Sequence, residues 1–354
     1  MGKDSDFYKS KKKDQILRLR EILSRLPGFA VDYIYSKELS TQTSTLISYG
    51  YDLLTFFSYL REANPIFSSI EIKDFTLDHL KNISSQDIVE YQRFLALNES
   101  DENPHENGVK AIARKMSPLR GLYKYHYIQK NIKENPMELV ALPKLKKDKN
   151  IIRMNNYEVQ AILNAISHGN EQMSPRQLAA CKKTMKRDLA ILTLMLGTGI
   201  RVSECNGLDI TDIDLKVNTI TIVRKGGGQD LLYFSDDIHD TLSDYIESER
   251  VHINPVEGHE NALFFSRLGK RMSVDAIEKL VKKYAKMVVP NKKITPHKLR
   301  STYGTALYRE TGDIRLVADV LGHENINTTI DYYAAIEDEH KKMAANAVNF
   351  KRPD

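Results

Sequence analysis

Residues 219–234 constrain the fold more than any other stretch of this 354-residue chain. Thr219-Ile-Thr-Ile-Val-Arg224 alternates in a β-branched pattern, three glycines follow at Gly226–Gly228, and Asp230–Phe234 runs back. That pattern predicts a β-hairpin with Lys225 at its tip. Elsewhere the apolar residues recur at helical steps. A sequence with few strands among many helices predicts a mainly α fold with a small antiparallel β-sheet, in the α+β class.

Residues 1–140 read as helical, with helices expected over Lys12–Ser24, Ser40–Glu62, Ser85–Ala96 and Gly108–Gln129. In the second of these, Leu46, Tyr49, Leu53, Phe56, Phe57 and Leu60 fall at three- and four-residue steps and define one apolar face. Asn98–Gly108 is polar and reads as a loop. Pro143-Lys-Leu-Lys-Lys-Asp-Lys-Asn150 is charged, has Leu145 as its one large apolar residue, and follows Pro136. It reads as a linker. The expected organisation is therefore a helical domain over 1–142, a linker over 143–152 and a second domain over 153–354.

The second domain carries several polar signatures, each unremarkable alone. Asp188–Leu196 is an apolar helix that Gly197-Thr-Gly199 can stop, and Arg201 opens the next turn. Glu204, three residues on, is placed to brace Arg201 through a charge-assisted hydrogen bond, although such a pair is worth little on an open surface. Another helix spans Val274–Met287. Thr295 suits a helix cap and Pro296 the first helical position. His297 and Arg300, three apart, then share a face. Asp313–Leu321 is helical with Ile314, Val317, Val320 and Leu321 as its buried stripe, Gly322 ends it, and His323 follows. Thr328-Thr-Ile-Asp-Tyr-Tyr333 can start one more helix, with Tyr332 or Tyr333 about one turn in.

Composition narrows the function classes. No apolar run approaches the roughly 18 residues of a membrane span. The polar start Met-Gly-Lys-Asp-Ser-Asp has no signal-peptide core. Asp6 stands where myristoylation wants Ser or Thr. With only Cys181 and Cys205, no disulfide framework is expected and a reducing cytoplasm is the natural location. Net charge is +5, but Val109–Asn150 holds eleven Lys or Arg against Glu134, Glu138 and Asp148. Such a stripe can neutralise phosphates. No cluster of Asp, Glu and His has metal-ligand spacing, and Gly226–Gly228 lacks the Gly-Lys-Ser/Thr ending of a nucleotide-binding loop, so neither a metal nor another cofactor is expected.

Taken together, Arg201-x-x-Glu204, Lys225 on a hairpin, His297-x-x-Arg300, Leu321-Gly-His323 and a tyrosine nine residues later resemble the tyrosine recombinase/integrase family. The likeness covers 150–354, and the first half is similar to the family's helical core-binding domain. Within the family the chain looks most like the Xer recombinases, of the XerS single-recombinase type. Lys186-Arg-Asp-Leu-Ala-Ile191, Val223-Arg-Lys-Gly-Gly-Gly228, Ile294-Thr-Pro-His-Lys-Leu-Arg300 and the polar insert Ser167–Lys186 carry that likeness. One departure is Tyr332-Tyr333-Ala334-Ala335, where the family often has Tyr-x-His. Spacing from His323 favours Tyr332 as nucleophile, with Tyr333 the alternative.

The resemblance implies a two-domain clamp on duplex DNA, with a core-binding half of the SAM-like kind. It implies strand cleavage through a 3′-phosphotyrosyl ester, without ATP or metal. Arg201 and Arg300 would clamp the phosphate, and Lys225 would protonate the leaving 5′-oxygen. His297 would act as general acid or base, His323 would bond the phosphate, and Glu204 would orient the cations. Helices with Thr43–Tyr51 and Lys110–Lys124 would face the DNA, with Thr43, Arg114, Lys115, Ser117 and Arg120 as contacts. Met343, Ala344, Ala347 and Val348 of the tail Glu337–Phe350 would dock on a neighbouring protomer. Four protomers on two inverted-repeat sites would form the synapse, through a Holliday junction, in chromosome or plasmid dimer resolution. A DNA translocase is the partner this role implies. Rival readings are a mobile-element integrase, a catalytically silent DNA-binding protein and a type IB topoisomerase.

Overall fold

A computed structural model describes residues 6–98, 105–143, 152–169, 174–224, 226–323, 325, 326, 329 and 330. They divide into two compact units, one within Lys9–Asp148 and one within Met1–Tyr8 and Lys149–Asp354. The fold is mainly α with a small antiparallel sheet, as the sequence predicts, and that sheet has three strands.

The first unit is built from α1 (Asp6–Leu23) from Lys9 onward, α2 (Gly28–Ser36), α3 (Thr43–Ala63), α4 (Leu77–Lys81), α5 (Ser85–Ala96) and α6 (Val109–Ile128). α1 starts six residues before its expected position, and α2 and α4 were not anticipated. The Pro27-Gly28 pair reads locally as a break, yet Pro27 is the residue before the first turn of α2 and Phe29, Ala30, Tyr33 and Ile34 bury its apolar face. By sequence the polar residues 98–108 read as a loop. Instead β1 (Leu97–Asn98) pairs with β2 (His105–Glu106) in a two-residue ladder. Except for the half-buried Tyr49, the α3 stripe is buried as its spacing requires: Leu53, Phe56 and Phe57 have no exposed surface. Phe56 meets the Tyr91 ring edge-on at 4.9 Å and Phe57 lies 5.3 Å from Phe75. Burying such side chains is worth about 1.5–3 kcal/mol each.

The second unit holds α7 (Asn156–His168), α8 (Pro175–Lys182), α9 (Met185–Thr198), α10 (Val202–Asn206), α11 (Asp236–Ser248), α12 (Val274–Val288), α13 (Pro296–Thr311) and α14 (Ile314–Leu321). Its sheet has the order β3 (Ile213–Asp214), β4 (Thr219–Val223), β5 (Gln229–Tyr233). The β4–β5 register pairs Thr219 with Tyr233 and Val223 with Gln229, and β3 adds an unforeseen edge strand. α9 is the central helix and packs on α7, α11 and α13, with Ala190, Ile191, Leu194 and Met195 fully buried.

A charged network explains the Lys186-Arg-Asp stretch at the start of α9. Asp188 is fully buried. It accepts hydrogen bonds from Arg187 Nη2 at 2.6 Å, Tyr284 Oη at 3.0 Å and Thr184 Oγ1 at 3.3 Å. Arg187 also donates to the Phe265 carbonyl at 2.9 Å. Every charge there is paired, the condition under which buried charge is tolerated.

Two ends position the site. α9 stops at Gly199, whose φ of 63° suits glycine. α14 starts on Asp313, whose carboxylate accepts from the amides of Arg315 and Leu316, and stops at Gly322 with φ 58°. Pro296 occupies the first turn of α13 as expected, but the Thr295 side chain makes no capping bond.

Candidate active site

Helix ends leave backbone carbonyls without partners, and the C-terminal end of a helix carries partial negative charge. At the end of α14 three arginines meet these carbonyls. Arg201 Nη2 donates to Gly322 O at 2.8 Å. Arg300, 5% exposed, donates through Nη2 to Leu321 O and through Nη1 to Gly199 O at 2.6 Å. Arg224 Nη2 donates to Val320 O at 3.0 Å. The αL residues Gly199 and Gly322 therefore end two helices so that their carbonyls converge on guanidinium groups.

Glu204 anchors this arrangement from below. Its carboxylate is buried at 3% exposure and accepts from the Arg201 amide at 2.9 Å and from Arg201 Nη1 at 2.7 Å. Arg224 Nη1 lies 3.5 Å from Oε2, the oxygen that accepts from the Arg201 amide. The pair expected from Arg-x-x-Glu is thus a buried one, whose charge-assisted bonds are stronger than those of an exposed pair. Three arginines against Glu204 and Asp230 leave the group with an excess positive charge, suited to a phosphodiester anion. A cavity of about 550 Å³ opens beside them, lined by Arg201, Arg224, Asp230, Gly322 and His323 among others.

Both imidazoles are shifted toward the neutral form. His323 follows α14, its amide donates to Ala318 O, and its Nδ1 lies 2.7 Å from Thr329 Oγ1. Burial, then the charges of Arg300 and Arg201, push its imidazole down to about 4. His297, in the first turn of α13, is also lowered, by desolvation first and then by Lys298, Arg300 and Arg201. A neutral imidazole can accept a proton or donate a hydrogen bond. Among the described residues no group of three or more His, Cys, Asp or Glu is arranged to hold a metal ion.

Arg201, Glu204, His297, Arg300 and His323 thus lie on one side of the second unit, carried by the start of α10, by α13 and by the end of α14. Lys225, Tyr332, Tyr333, the segment 144–151 and the tail Glu337–Phe350 lie outside the described residues. Arg224 is the residue that sequence reasoning passed over. The only hint of it is its place at the end of the alternating strand. Its partners Asp230, Glu204 and Val320 are 6, 20 and 96 residues away in sequence.

The residues proposed to touch DNA lie in the first unit. Ser117, Arg114 and Arg120 are exposed on α6, and Thr43 opens α3. Arg114 and Lys115 are also committed to a partner that the sequence did not reveal. Asp52 of α3 is buried and accepts from Arg114 Nη1 at 2.7 Å and Nη2 at 3.2 Å, with Lys115 Nζ at 3.8 Å. Arg120 Nη2 reaches the Val140 carbonyl at 3.4 Å. On α3, Ser44, Ser48 and Tyr51 form an exposed hydroxyl row, and Lys110, Arg114, Ser117 and Lys124 form an exposed row on α6. Among the described residues no helix is long and apolar enough to cross a membrane.

Comparison with known proteins agrees with this geometry. The sequence profile of the phage integrase family matches residues 152–340. Tyrosine recombinase XerC of Caldanaerobacter subterraneus subsp. tengcongensis is 32% identical over 323 residues, covering 88% of this chain and 83% of that protein. Tyrosine recombinase XerS of Streptococcus pneumoniae is 29% identical over 351 residues, covering 92% and 96%. Among solved structures, XerH bound to a palindromic difH substrate in a post-cleavage complex superposes with a TM-score of 0.65 at 19% identity, covering 94% of this chain and 96% of that one. A lambda integrase (75–356) dimer bound to a COC′ core site gives 0.58 at 16% identity, covering 85% and 92%. At these identities the structures establish a shared fold.

Proposed function

Because the chain belongs to the phage integrase family, and so to the tyrosine recombinases, we propose that it recombines duplex DNA at a specific inverted-repeat site through a 3′-phosphotyrosyl intermediate. The observation that carries this reading is the convergence of Arg201, Arg300 and His323 at the end of α14, with Glu204 holding Arg201.

In the proposed step the Tyr332 oxygen bonds to the scissile phosphorus and the bond from phosphorus to the 5′-oxygen breaks. His297, biased toward its neutral form by burial and the neighbouring cations, takes the tyrosine proton, and Lys225 gives a proton to the departing 5′-oxygen. Attack by the 5′-hydroxyl of the partner strand reverses the reaction on a new strand, so the ester conserves the bond energy and neither ATP nor metal is required. The transition state places extra negative charge on the non-bridging oxygens. Arg201 and Arg300 stabilise it there without reorganising, because their forks are already oriented.

Residues 1–142 serve as the core-binding domain, 143–152 as the linker and 153–354 as the catalytic domain. Thr43, Arg114, Lys115, Ser117 and Arg120 face DNA. Four protomers on two sites carry the exchange through a Holliday junction. An Xer-like role in dimer resolution, started by a DNA translocase, is favoured by the near full-length match to XerS. Mobile-element integration is the second reading, favoured by the fold shared with lambda integrase.

The test is covalent trapping on a nicked suicide duplex carrying the site that the wild-type chain enriches from a randomised pool. The expected adduct persists in Tyr333→Phe and is lost in Tyr332→Phe. Loss in Tyr333→Phe alone would move the nucleophile by one position. Tight binding with no wild-type adduct would overturn the reaction and leave a DNA-binding protein.

A further inference from the structure

Arg224 sits where the three parts of the anion site meet. Its backbone closes the hairpin turn: its amide donates to Gly228 O at 2.8 Å, and its carbonyl accepts from the Gly227 amide at 3.0 Å. Its side chain, 13% exposed, turns inward rather than to solvent. Nε donates to Asp230 Oδ2 on β5 at 2.8 Å. The Nη groups reach Glu204 on α10 and the carbonyls at the end of α14. Gly322 leaves the room this requires, since a Cβ there would lie 2.7 Å from Arg224 Cζ and Nε.

The donor inventory separates this arginine from Arg201. Arg201 keeps part of its fork open, at 30% exposure. The donors of Arg224 face protein acceptors on three elements. A planar guanidinium spreads five donors over three nitrogens and so spans these acceptors at once; a lysine ammonium offers its three donors from a single nitrogen and lacks the fork.

We infer that Arg224 is a positioning residue for strand cleavage, fixing the hairpin against the platform that holds Arg201 and Arg300, so that the residue after it delivers its proton in register with the phosphate clamp. This rests on the phosphodiester-transfer reading of the site. It acts through the hairpin and the clamp, without touching DNA.

The test uses the full-length chain and Arg224→Lys, with Asp230→Asn as a second variant that loosens the same contact from the exposed strand. Two suicide duplexes are compared, one with the natural 5′-oxygen and one with sulfur in its place at the scissile bond. A thiolate leaves without needing a proton, so misplacement of the proton donor is silent on the sulfur substrate. Arg224→Lys is expected to cleave the oxygen substrate about 100-fold more slowly, the order of loss that a misplacement of about 1 Å brings. The sulfur substrate should restore most of the loss, and duplex affinity should stay within about threefold because the charge is kept. Asp230→Asn should shift both substrates in the same sense by less. Wild-type cleavage by both folded variants would overturn the inference. So would an equal loss on both substrates, or a loss of affinity with a shallower salt dependence, which would make Arg224 a direct phosphate contact. Absence of any wild-type adduct on either duplex would instead refute the reading of the site itself.

Discussion

Replacing Glu204 with glutamine tests whether the arginine group is held by charge or merely by shape. The side chain keeps its size and is 3% exposed. The carboxylate accepts from the Arg201 amide, from Arg201 Nη1 and, at longer range, faces Arg224 Nη1. A glutamine offers one acceptor oxygen and turns an NH₂ group toward a donor, so at least one of these bonds becomes a donor–donor contact. Hydrogen bonds to charged groups are worth about 1.5–3 kcal/mol, and breaking a buried pair costs up to about 5, which puts the loss near 3 kcal/mol. For a unit of this size that corresponds to a fall of roughly 6–12 °C in its melting transition. Arg201 is then free to leave its position, and single-turnover cleavage of the suicide duplex should slow by about 100-fold. Binding should not weaken, because the substitution removes a negative charge from a site that receives a phosphate. Anisotropy titration, calorimetric melting and gel quantification of the adduct separate the three effects. Glu204→Gln that cleaves within about threefold of wild type would refute the orienting role, as would a cleavage defect explained wholly by lost affinity.

Three further outcomes follow from the geometry. Gly199→Ala should destabilise the second unit by about 2 kcal/mol or more in thermal melts, since φ is 63° and the new Cβ would lie 2.5 Å from Tyr303 Cδ1; unchanged stability would show that the αL end of α9 is not required. His323 has a folded value of about 4 against about 6.5 unfolded, so it contributes stability above the unfolded value that is lost as pH falls from about 6.5 towards 4. His323→Gln should therefore show a flatter fall in melting temperature over that window, and identical slopes would contradict the assignment. Asp52→Asn should leave binding to a scrambled duplex unchanged or tighter while lowering discrimination for the enriched site, measured as the ratio of the two dissociation constants; an unchanged ratio would mean that Arg114 needs no alignment by Asp52.

What was legible in the sequence was what local chemistry decides. β-branched alternation and three glycines locate the hairpin, and Asp313 and Gly322 bracket α14 because capping and left-handed termination are properties of single residues. His297 and Arg300 come together because helix geometry alone puts positions three apart on one face. Arg224 stayed hidden for the opposite reason: Glu204, Asp230 and Val320 meet it only after the chain has folded. Asp52 escaped likewise, since a lone acid in an apolar stripe on α3 gives no sign of the two cations that approach from α6. The short helices α2 and α4 are stabilised by packing of Phe29, Tyr33 and Leu80 rather than by a long period.

The eight residues of α14 also act as a ruler. Asp313 fixes where counting begins, and Gly322 fixes where the exposed carbonyls fall. Each residue in an α-helix advances by about 100° and 1.5 Å. Removing or adding one residue between them would turn Val320, Leu321 and Gly322 away from their three guanidinium partners together. Point changes on the outer face of this helix are therefore expected to be mild, whereas a change in its length disarms the whole group in one step. The element that tolerates much variation in composition tolerates none in register.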